Sequence, residues 1–305
     1  MISIVVPVYN EEKTAPLLLA RLKEEGKKWG DHEIFFIDDG SFDTTAKIIG
    51  DAAASDKTLR LISFSRNFGH QAAVSAGLEH AKGDAVVVID GDLQDPPELI
   101  VEFIKKWREG YKVIYAVRKN RKENVIKKFF YALFYRLLKS ISKIDIPLDA
   151  GDFSLMDREV IDIVVSLREK NRFVRGLRSW AGFSSVGVPY ERQVRAGGET
   201  KYSLRKLIHL AVDGFTGFSS FPLKISEYLG FGVAFLSFIA GITVFVLKLT
   251  VGVDVQGWTS LAIIVFFVGG VQLFLMGVMG EYIARIYTEV QNRPVYIIKK
   301  KIGFE

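Results

Sequence analysis

A Rossmann-like α/β fold with a mostly parallel sheet, followed by a pair of membrane-spanning helices, is what this sequence predicts. Three observations carry that reading: short apolar runs alternate with helical periods, polar clusters directly follow the runs, and two long uncharged stretches lie in the final third. Near-continuous apolar strands alternating with helices belong to parallel sheets covered on both faces. An uncharged apolar stretch of about 20 residues is long enough to cross a bilayer core as a helix.

In chain order, Ile2-Ser3-Ile4-Val5-Val6-Pro7-Val8 reads as the first strand, and Leu17 to Leu22 has helical period. Glu33 to Ile37 and Leu59 to Phe64 read as the second and third strands, and Ala72 to Ala81 as the next helix. A strand at Ala85 to Ile89, a helix at Leu99 to Trp107 and a strand at Val113 to Val117 follow. From Asn124 to Lys143 the chain reads as a basic amphipathic helix, with Phe129, Leu133 and Leu137 on one side and Lys127, Arg136 and Lys139 on the other. Such a helix lies in a membrane interface or packs on the domain core. A second amphipathic segment runs from Tyr202 to Phe221.

No charge falls between Glu227 and Lys248, or between Asp254 and Glu281. The loop between these spans carries one Asp and no Lys or Arg, whereas Arg205, Lys206 and Lys224 precede the pair and Arg285, Arg293 and Lys299 to Lys301 follow it. The positive-inside rule then puts both ends in the cytoplasm. Four parts result: an α/β core at 1–123, a part carrying the amphipathic segments at 124–225, two transmembrane helices at 226–284 and a cytoplasmic tail at 285–305. The N-terminus begins at once with a strand and shows no secretory signal pattern. A multi-pass protein of the inner (plasma) membrane with a cytoplasmic α/β domain is expected.

The 305 residues are 49% hydrophobic with a net charge of +6. That balance suits an anionic membrane or an acidic substrate, and nucleic acid is set aside because no groove-reading or base-stacking motif is present. With no cysteine, disulfides, thiolate metal sites and Cys nucleophiles are excluded. Carboxylates, His and Gln remain as metal ligands.

The clusters Tyr9-Asn10-Glu11-Glu12, Asp38-Asp39-Gly40-Ser41, Arg66-Asn67-Phe68-Gly69 and Asp90-Gly91-Asp92-Leu93-Gln94-Asp95 each follow a predicted strand. In open α/β sheets the ligand crevice lies at the carboxyl ends of the strands, so four loops point into one cleft. Asp90 and Asp92 straddle a small residue and can approach one hard cation, Mg²⁺ or Mn²⁺, with Gln94 adding an oxygen. Asp38 suits a base N–H or ribose hydroxyl, while Tyr9 offers base packing and Glu11 a polar contact. His70 is the one histidine placed near the cleft, and no role is assigned to it.

These motifs, together with Pro7-Val8-Tyr9-Asn10-Glu11, Pro96-Pro97-Glu98 and Gly151-Asp152-Phe153, resemble glycosyltransferase family 2 with the GT-A fold. Within it they resemble the polyprenyl-phosphate glycosyltransferases, including dolichol-phosphate mannose synthases and bacterial undecaprenyl-phosphate glucosyltransferases. The resemblance implies that Pro7, Tyr9, Glu11 and Asp38 meet the nucleotide sugar and that Asp90, Asp92 and Gln94 form the metal and diphosphate site; Arg118 is a further cation assigned to the nucleotide sugar, and Asp92 and Asp152 are the catalytic candidates. Asp152 takes the acceptor-side position, either as a base or as a positioning group; a pairing with Arg158 is the structural alternative. Arg121, Lys127, Arg195 and Lys201 are the cations available for the lipid phosphate.

The expected reaction is inverting transfer of glucose from a UDP-sugar to undecaprenyl phosphate, for modification of a surface polymer. The alternatives are the same chemistry with UDP-N-acetylglucosamine or GDP-mannose, or a non-enzymatic membrane-tethered nucleotide-binding protein. A processive synthase is disfavoured, since two spans are too few for a pore and Arg178-Ser179-Trp180 only partly echoes its Gln-x-x-Arg-Trp motif. Gly230, Gly232, Gly269, Gly270 and Gly277 would let the spans pack on a neighbouring copy as a homo-oligomer.

Overall fold

The structure, a computed structural model, describes residues 1–118, 150–170, 172–191, 221–251 and 257–304. Two compact units divide the chain: Met1–Tyr202 with Pro294–Glu305, and Ser203–Arg293.

The first unit is built on an eight-stranded mixed sheet with helices on its faces. Its parallel part comprises β1 (Ile2–Val8), β2 (His32–Asp38), β3 (Leu59–Phe64) and β4 (Ala85–Val88). Helices α1 (Ala15–Gly26), α2 (Thr45–Ser55) and α3 (His70–His80) connect them. All seven residues of β1 and all four of β4 are buried, as the unbroken apolar runs require of strands covered on both faces. Helix α4 (Leu99–Arg108) packs Phe103 on Phe153 of β6 (Ala150–Asp157), with ring centroids 4.8 Å apart. Strand β5 (Val113–Arg118), α5 (Arg158–Ser166), α6 (Val174–Trp180) and β7 (Ser185–Tyr190) complete that half.

The sheet order is β7-β5-β6-β4-β1-β2-β3-β8. From β1 the chain goes to β2 and β3 on one side and to β4 on the other, so β1 and β4 flank the point where strand order reverses. Ligand crevices of open α/β sheets open at such a point. Strand β6 runs antiparallel to β4, with Val88 paired to Ser154 and Val87 to Leu155. Two steps further along that register, Asp90 comes opposite Asp152, so the start of β6 meets the end of β4.

Residues 298–302, within the segment expected as a tail, form β8 (Ile298–Ile302) antiparallel to β3. Tyr296 stacks on Phe64 with centroids 4.9 Å apart, and Lys301 Nζ lies 2.9 Å from His80 Nε2.

The second unit contains α7 (Phe221–Val251) and α8 (Trp258–Val290). Ser226–Thr243 and Phe267–Val290 are long and apolar enough to cross a membrane, and 6% and 0% of these windows is buried. Phe231, Phe235, Leu236, Leu273 and Phe274 are exposed, and apolar surface of that extent marks contact with lipid or another apolar partner. A Cβ added at Gly232, Gly269, Gly270 or Gly277 would meet no atom within 4 Å. The amphipathic segments expected at 124–143 and 202–221 lie outside the described residues, apart from Phe221 at the start of α7.

Candidate active site

The loops after β1 and β2 are tied to each other before any ligand is considered. Asn10 takes a positive φ of 53°, its backbone N–H donates to Ser41 Oγ at 2.9 Å, and its Oδ1 accepts from the Phe42 N–H at 3.1 Å. The Glu11 N–H donates to Thr45 Oγ1 at 2.8 Å, and the Glu11 carboxylate accepts from the Thr14 hydroxyl at 2.5 Å. Tyr9 is left 37% exposed at the cleft, edge-on to Phe42 at 6.2 Å. Asp38 is buried at the end of β2 and accepts from the Ser41 N–H at 3.0 Å.

Asp39 braces the third loop. Its carboxylate accepts from Asn67 Nδ2 at 2.9 Å and from the backbone N–H groups of Phe68 at 2.7 Å and Gly69 at 2.9 Å. Burial pushes its pKa up, while those two backbone donors pull against the rise. Gly40, at φ 70°, lets the β2 loop touch the β3 loop, since a Cβ there would sit 2.4 Å from the Arg66 carbonyl carbon. Gly69 is thereby set as the N-cap of α3, whose first residue is His70.

At the centre, His70 Nε2 lies 3.6 Å from Asp90 Oδ1 and 3.5 Å from Asp152 Oδ2. Burial disfavours the imidazolium, but the hydrogen bond to Asp152 and the charges of Asp90, Asp152 and Asp39 outweigh it and raise the pKa to about 9. His70 therefore carries a proton at neutral pH. Burial likewise raises Asp90 to about 6, with Asp152, Asp95 and Asp92 adding repulsion that His70 partly offsets. Burial alone would raise Asp152 too, yet His70, Arg175 and Arg178 hold its carboxyl far below the usual carboxylate range. Arg175 Nη2 reaches Asp152 Oδ1 at 3.4 Å. Arg158 takes no part, since it donates to the Gly83 and Ala81 carbonyls.

Gly91 keeps the two aspartates tight against the β1 loop, because a Cβ there would stand 2.8 Å from Val8 Cγ1. Asp92 Oδ1 accepts from the Gln94 N–H at 3.1 Å in a local turn. Asp95 is buried and accepts from the Tyr190 hydroxyl at 2.5 Å, while Arg118 Nε lies 3.4 Å from that same oxygen. Burial and Asp95 raise the Tyr190 phenol to about 12, so it stays a donor.

The strand-end loops gather carboxylates, half-buried at Asp90 and Asp152, around His70, and the family description "Glycosyl transferase family 2" matches residues 3–164. The chain belongs to glycosyl transferase family 2. The "GtrB C-terminal hairpin" description also matches residues 221–286, which contain α7 and most of α8, so this glycosyltransferase is a membrane-associated one. It is 50% identical to the uncharacterized glycosyltransferase YkcC of Bacillus subtilis, over 99% of this chain and 94% of that protein. It is 45% identical to the bactoprenol glucosyl transferase of Shigella phage SfII, over 98% of this chain and 97% of that protein. A solved glucosyl-3-phosphoglycerate synthase from Mycobacterium tuberculosis is a distant likeness, with a TM-score of 0.47 at 20% identity over 70% of this chain and 77% of that one.

In this family 2 glycosyltransferase the structure brings Pro7, Tyr9, Glu11, Asp38, Asp90, Asp92, Gln94, Arg118 and Asp152 to the carboxyl ends of β1, β2, β4 and β5 and the start of β6. Arg121, Lys127, Arg195 and Lys201 lie outside the described residues. Among the described residues no group of three or more His, Asp or Glu converges as a complete metal cage. Asp90 Oδ1 is nonetheless buried with no hydrogen-bond partner among the described residues. No sequence motif assigns a role to His70, Arg175 or Arg178. The position of His70 one residue after the Arg66–Gly69 cluster was the one available signal.

Proposed function

We propose that this protein transfers glucose, with inversion, from UDP-glucose to a polyprenyl phosphate such as undecaprenyl phosphate, at the cytoplasmic face of the membrane, for modification of a cell-surface polymer. The observation that carries this reading is the Asp90–His70–Asp152 cluster at the reversal point of the sheet, in a chain whose relatives include bactoprenol glucosyl transferases.

Pro7, Tyr9, Glu11, Asp38 and Arg118 hold the nucleotide sugar. Asp90, Asp92 and Gln94 would hold Mg²⁺ or Mn²⁺, a fit supported by the buried Asp90 Oδ1, which accepts no hydrogen bond among the described residues and has His70 only at ion-pair distance, and by an all-oxygen donor set suited to a hard cation. When bound, that cation offsets charge on the departing diphosphate. So few protein ligands agree with a cation that keeps waters and substrate phosphates in its shell.

Asp152 stays ionised and engaged by His70 and Arg175, so it is a poor proton acceptor and acts by orienting those cations. A lipid phosphate, with a second pKa of about 6, already attacks as an anion and needs no base. His70 keeps Asp90 and Asp152 from repelling each other and leaves one face of Asp90 toward the cleft.

Location is supported by connectivity. The chain leaves the first unit before α7 and returns to it as β8, so a hairpin that crosses the membrane crosses it twice and keeps both ends on the side of the sheet.

The test incubates purified protein with undecaprenyl phosphate, Mg²⁺ or Mn²⁺ and a panel of labelled UDP-glucose, UDP-N-acetylglucosamine and GDP-mannose. Labelled lipid from UDP-glucose is expected. Folded protein that labels lipid from no donor would overturn the reading, and labelling from another donor alone would correct the sugar.

A further inference from the structure

The active site has an acidic half and a basic half that meet at His70. On one side stand Asp90, Asp92 and Asp95, and on the other, around Asp152, stand Arg175 and Arg178. Residues three apart on a helix share a face, so α6 presents both arginines together.

Their surroundings differ. Arg178 is 3% exposed, donates from Nη2 to the Gly151 carbonyl at 3.1 Å, and places its guanidinium 5.7 Å from the Tyr115 ring centroid. It is fully committed to the wall of the site. Arg175 remains 24% exposed, spends Nη2 on Asp152, and has a buried Nε with no hydrogen-bond partner among the described residues. A guanidinium offers five donors in a rigid fork matched to phosphate oxygens, and leaving a buried one unsatisfied is unfavourable. Two guanidiniums against the single charge of Asp152 also leave a surplus of positive charge.

Resting on the reaction proposed above, we propose that Arg175 binds the phosphate-monoester anion of the acceptor, with Asp152 holding its guanidinium in place and Arg178 backing it. The leaving diphosphate is the other phosphate source in this cleft. The acceptor is favoured because Arg175 pairs with Asp152, whereas the cation-bound diphosphate is assigned to Asp90 and Asp92. The surplus of positive charge attracts the anion that a phosphate monoester carries near neutral pH.

The test measures binding and needs no turnover. Full-length wild type, Arg175→Ala and Arg175→Lys in detergent are titrated with farnesyl phosphate, farnesol and UDP. Farnesyl phosphate should bind about tenfold or more weakly to Arg175→Ala, since charge-assisted hydrogen bonds are lost. Arg175→Lys should be intermediate, because a point charge keeps attraction but loses the fork. Farnesol and UDP should bind all three alike.

Unchanged farnesyl phosphate affinity in both variants would overturn the proposal. So would a loss confined to UDP, which would assign Arg175 to the diphosphate, or an equal loss for farnesol. If Arg175→Ala fails to fold, Arg175→Lys decides the matter on the same readings. A protein that binds farnesyl phosphate through Arg175 yet labels no lipid would sink the reaction while leaving this site standing.

Discussion

Asp90 and Asp152 face each other across the antiparallel β4–β6 register, and His70 Nε2 stands between them at 3.6 and 3.5 Å. Like charges directly opposite in a sheet destabilise it, so this pair depends on the cation between its members.

Replacing His70 with alanine should therefore lower the thermal midpoint of the metal-free protein. The His70 side chain is 42% exposed, so solvent screening keeps the effect near about 1 kcal/mol, or about 2–4 °C for a domain of this size. Adding Mn²⁺ should recover part of it by neutralising Asp90. Scanning fluorimetry with and without the cation checks this, and an unchanged midpoint in both conditions would remove His70 from its bridging role.

Asp90 makes divalent-cation binding pH-dependent. Its folded pKa, raised by burial from 3.8 to about 6, means the native state holds a proton that the unfolded chain releases between those values. Metal-free stability should accordingly fall as pH rises from about 4 to about 6 through this group, and Mn²⁺ affinity should rise over the same approach to pH 6 and then level off. Calorimetric titration from pH 5 to pH 8 should see that step, and Asp90→Asn should abolish it; a flat profile in wild type contradicts the assignment.

Asp157 works in the opposite sense. Burial raises its pKa, but Trp107 Nε1 at 2.7 Å and Lys112 Nζ at 3.0 Å outweigh that and lower it below 3.8. Its contribution is present above the ordinary carboxylate range and is lost as pH falls through the depressed folded value. Urea unfolding of Asp157→Asn should show a loss of about 1–2 kcal/mol at pH 7 that shrinks toward pH 3. A loss that stays constant with pH would disprove the linkage.

Tyr190→Phe removes the hydroxyl that donates to buried Asp95 and lies 3.4 Å from Arg118 Nε. A stability loss of about 1–3 kcal/mol is expected, with a higher KM for the nucleotide sugar as Arg118 loses its brace. Unfolding and steady-state kinetics measured together test both halves; a stability loss at unchanged KM would separate Arg118 from this network.

The chain contains no cysteine, so single cysteines report topology cleanly. A membrane-impermeant maleimide applied to intact cells should label Gly257→Cys, at the start of α8, and leave Lys300→Cys in β8 unlabelled until the cells are opened. Labelling of Lys300→Cys from outside would break the proposed double crossing.

The parallel half of the sheet was legible in the chain because burial on both faces demands unbroken apolar runs, and β1 to β4 have them. The placement of Tyr9, Glu11, Asp38, Asp90 and Asp92 at strand ends was legible for a related reason: each polar cluster directly follows an apolar run. The hairpin was legible from length and the absence of charge alone.

Residues 298–302 were not, since Ile-Lys-Lys-Lys-Ile reads as a charged tail until the exposed edge of β3 is there to pair with it. Nor was the basic half of the site. No local pattern ties His70 at the start of α3 to Asp152 on an inserted antiparallel strand, or Arg175 on α6 to the same carboxylate. Sequence alone determined which segments are buried, which loops line the cleft and which spans are apolar, because those properties are periodic or local. Which charges meet was decided by tertiary structure, because a contact between residues far apart in the chain depends on strand order and register, and neither leaves a mark in the neighbouring residues.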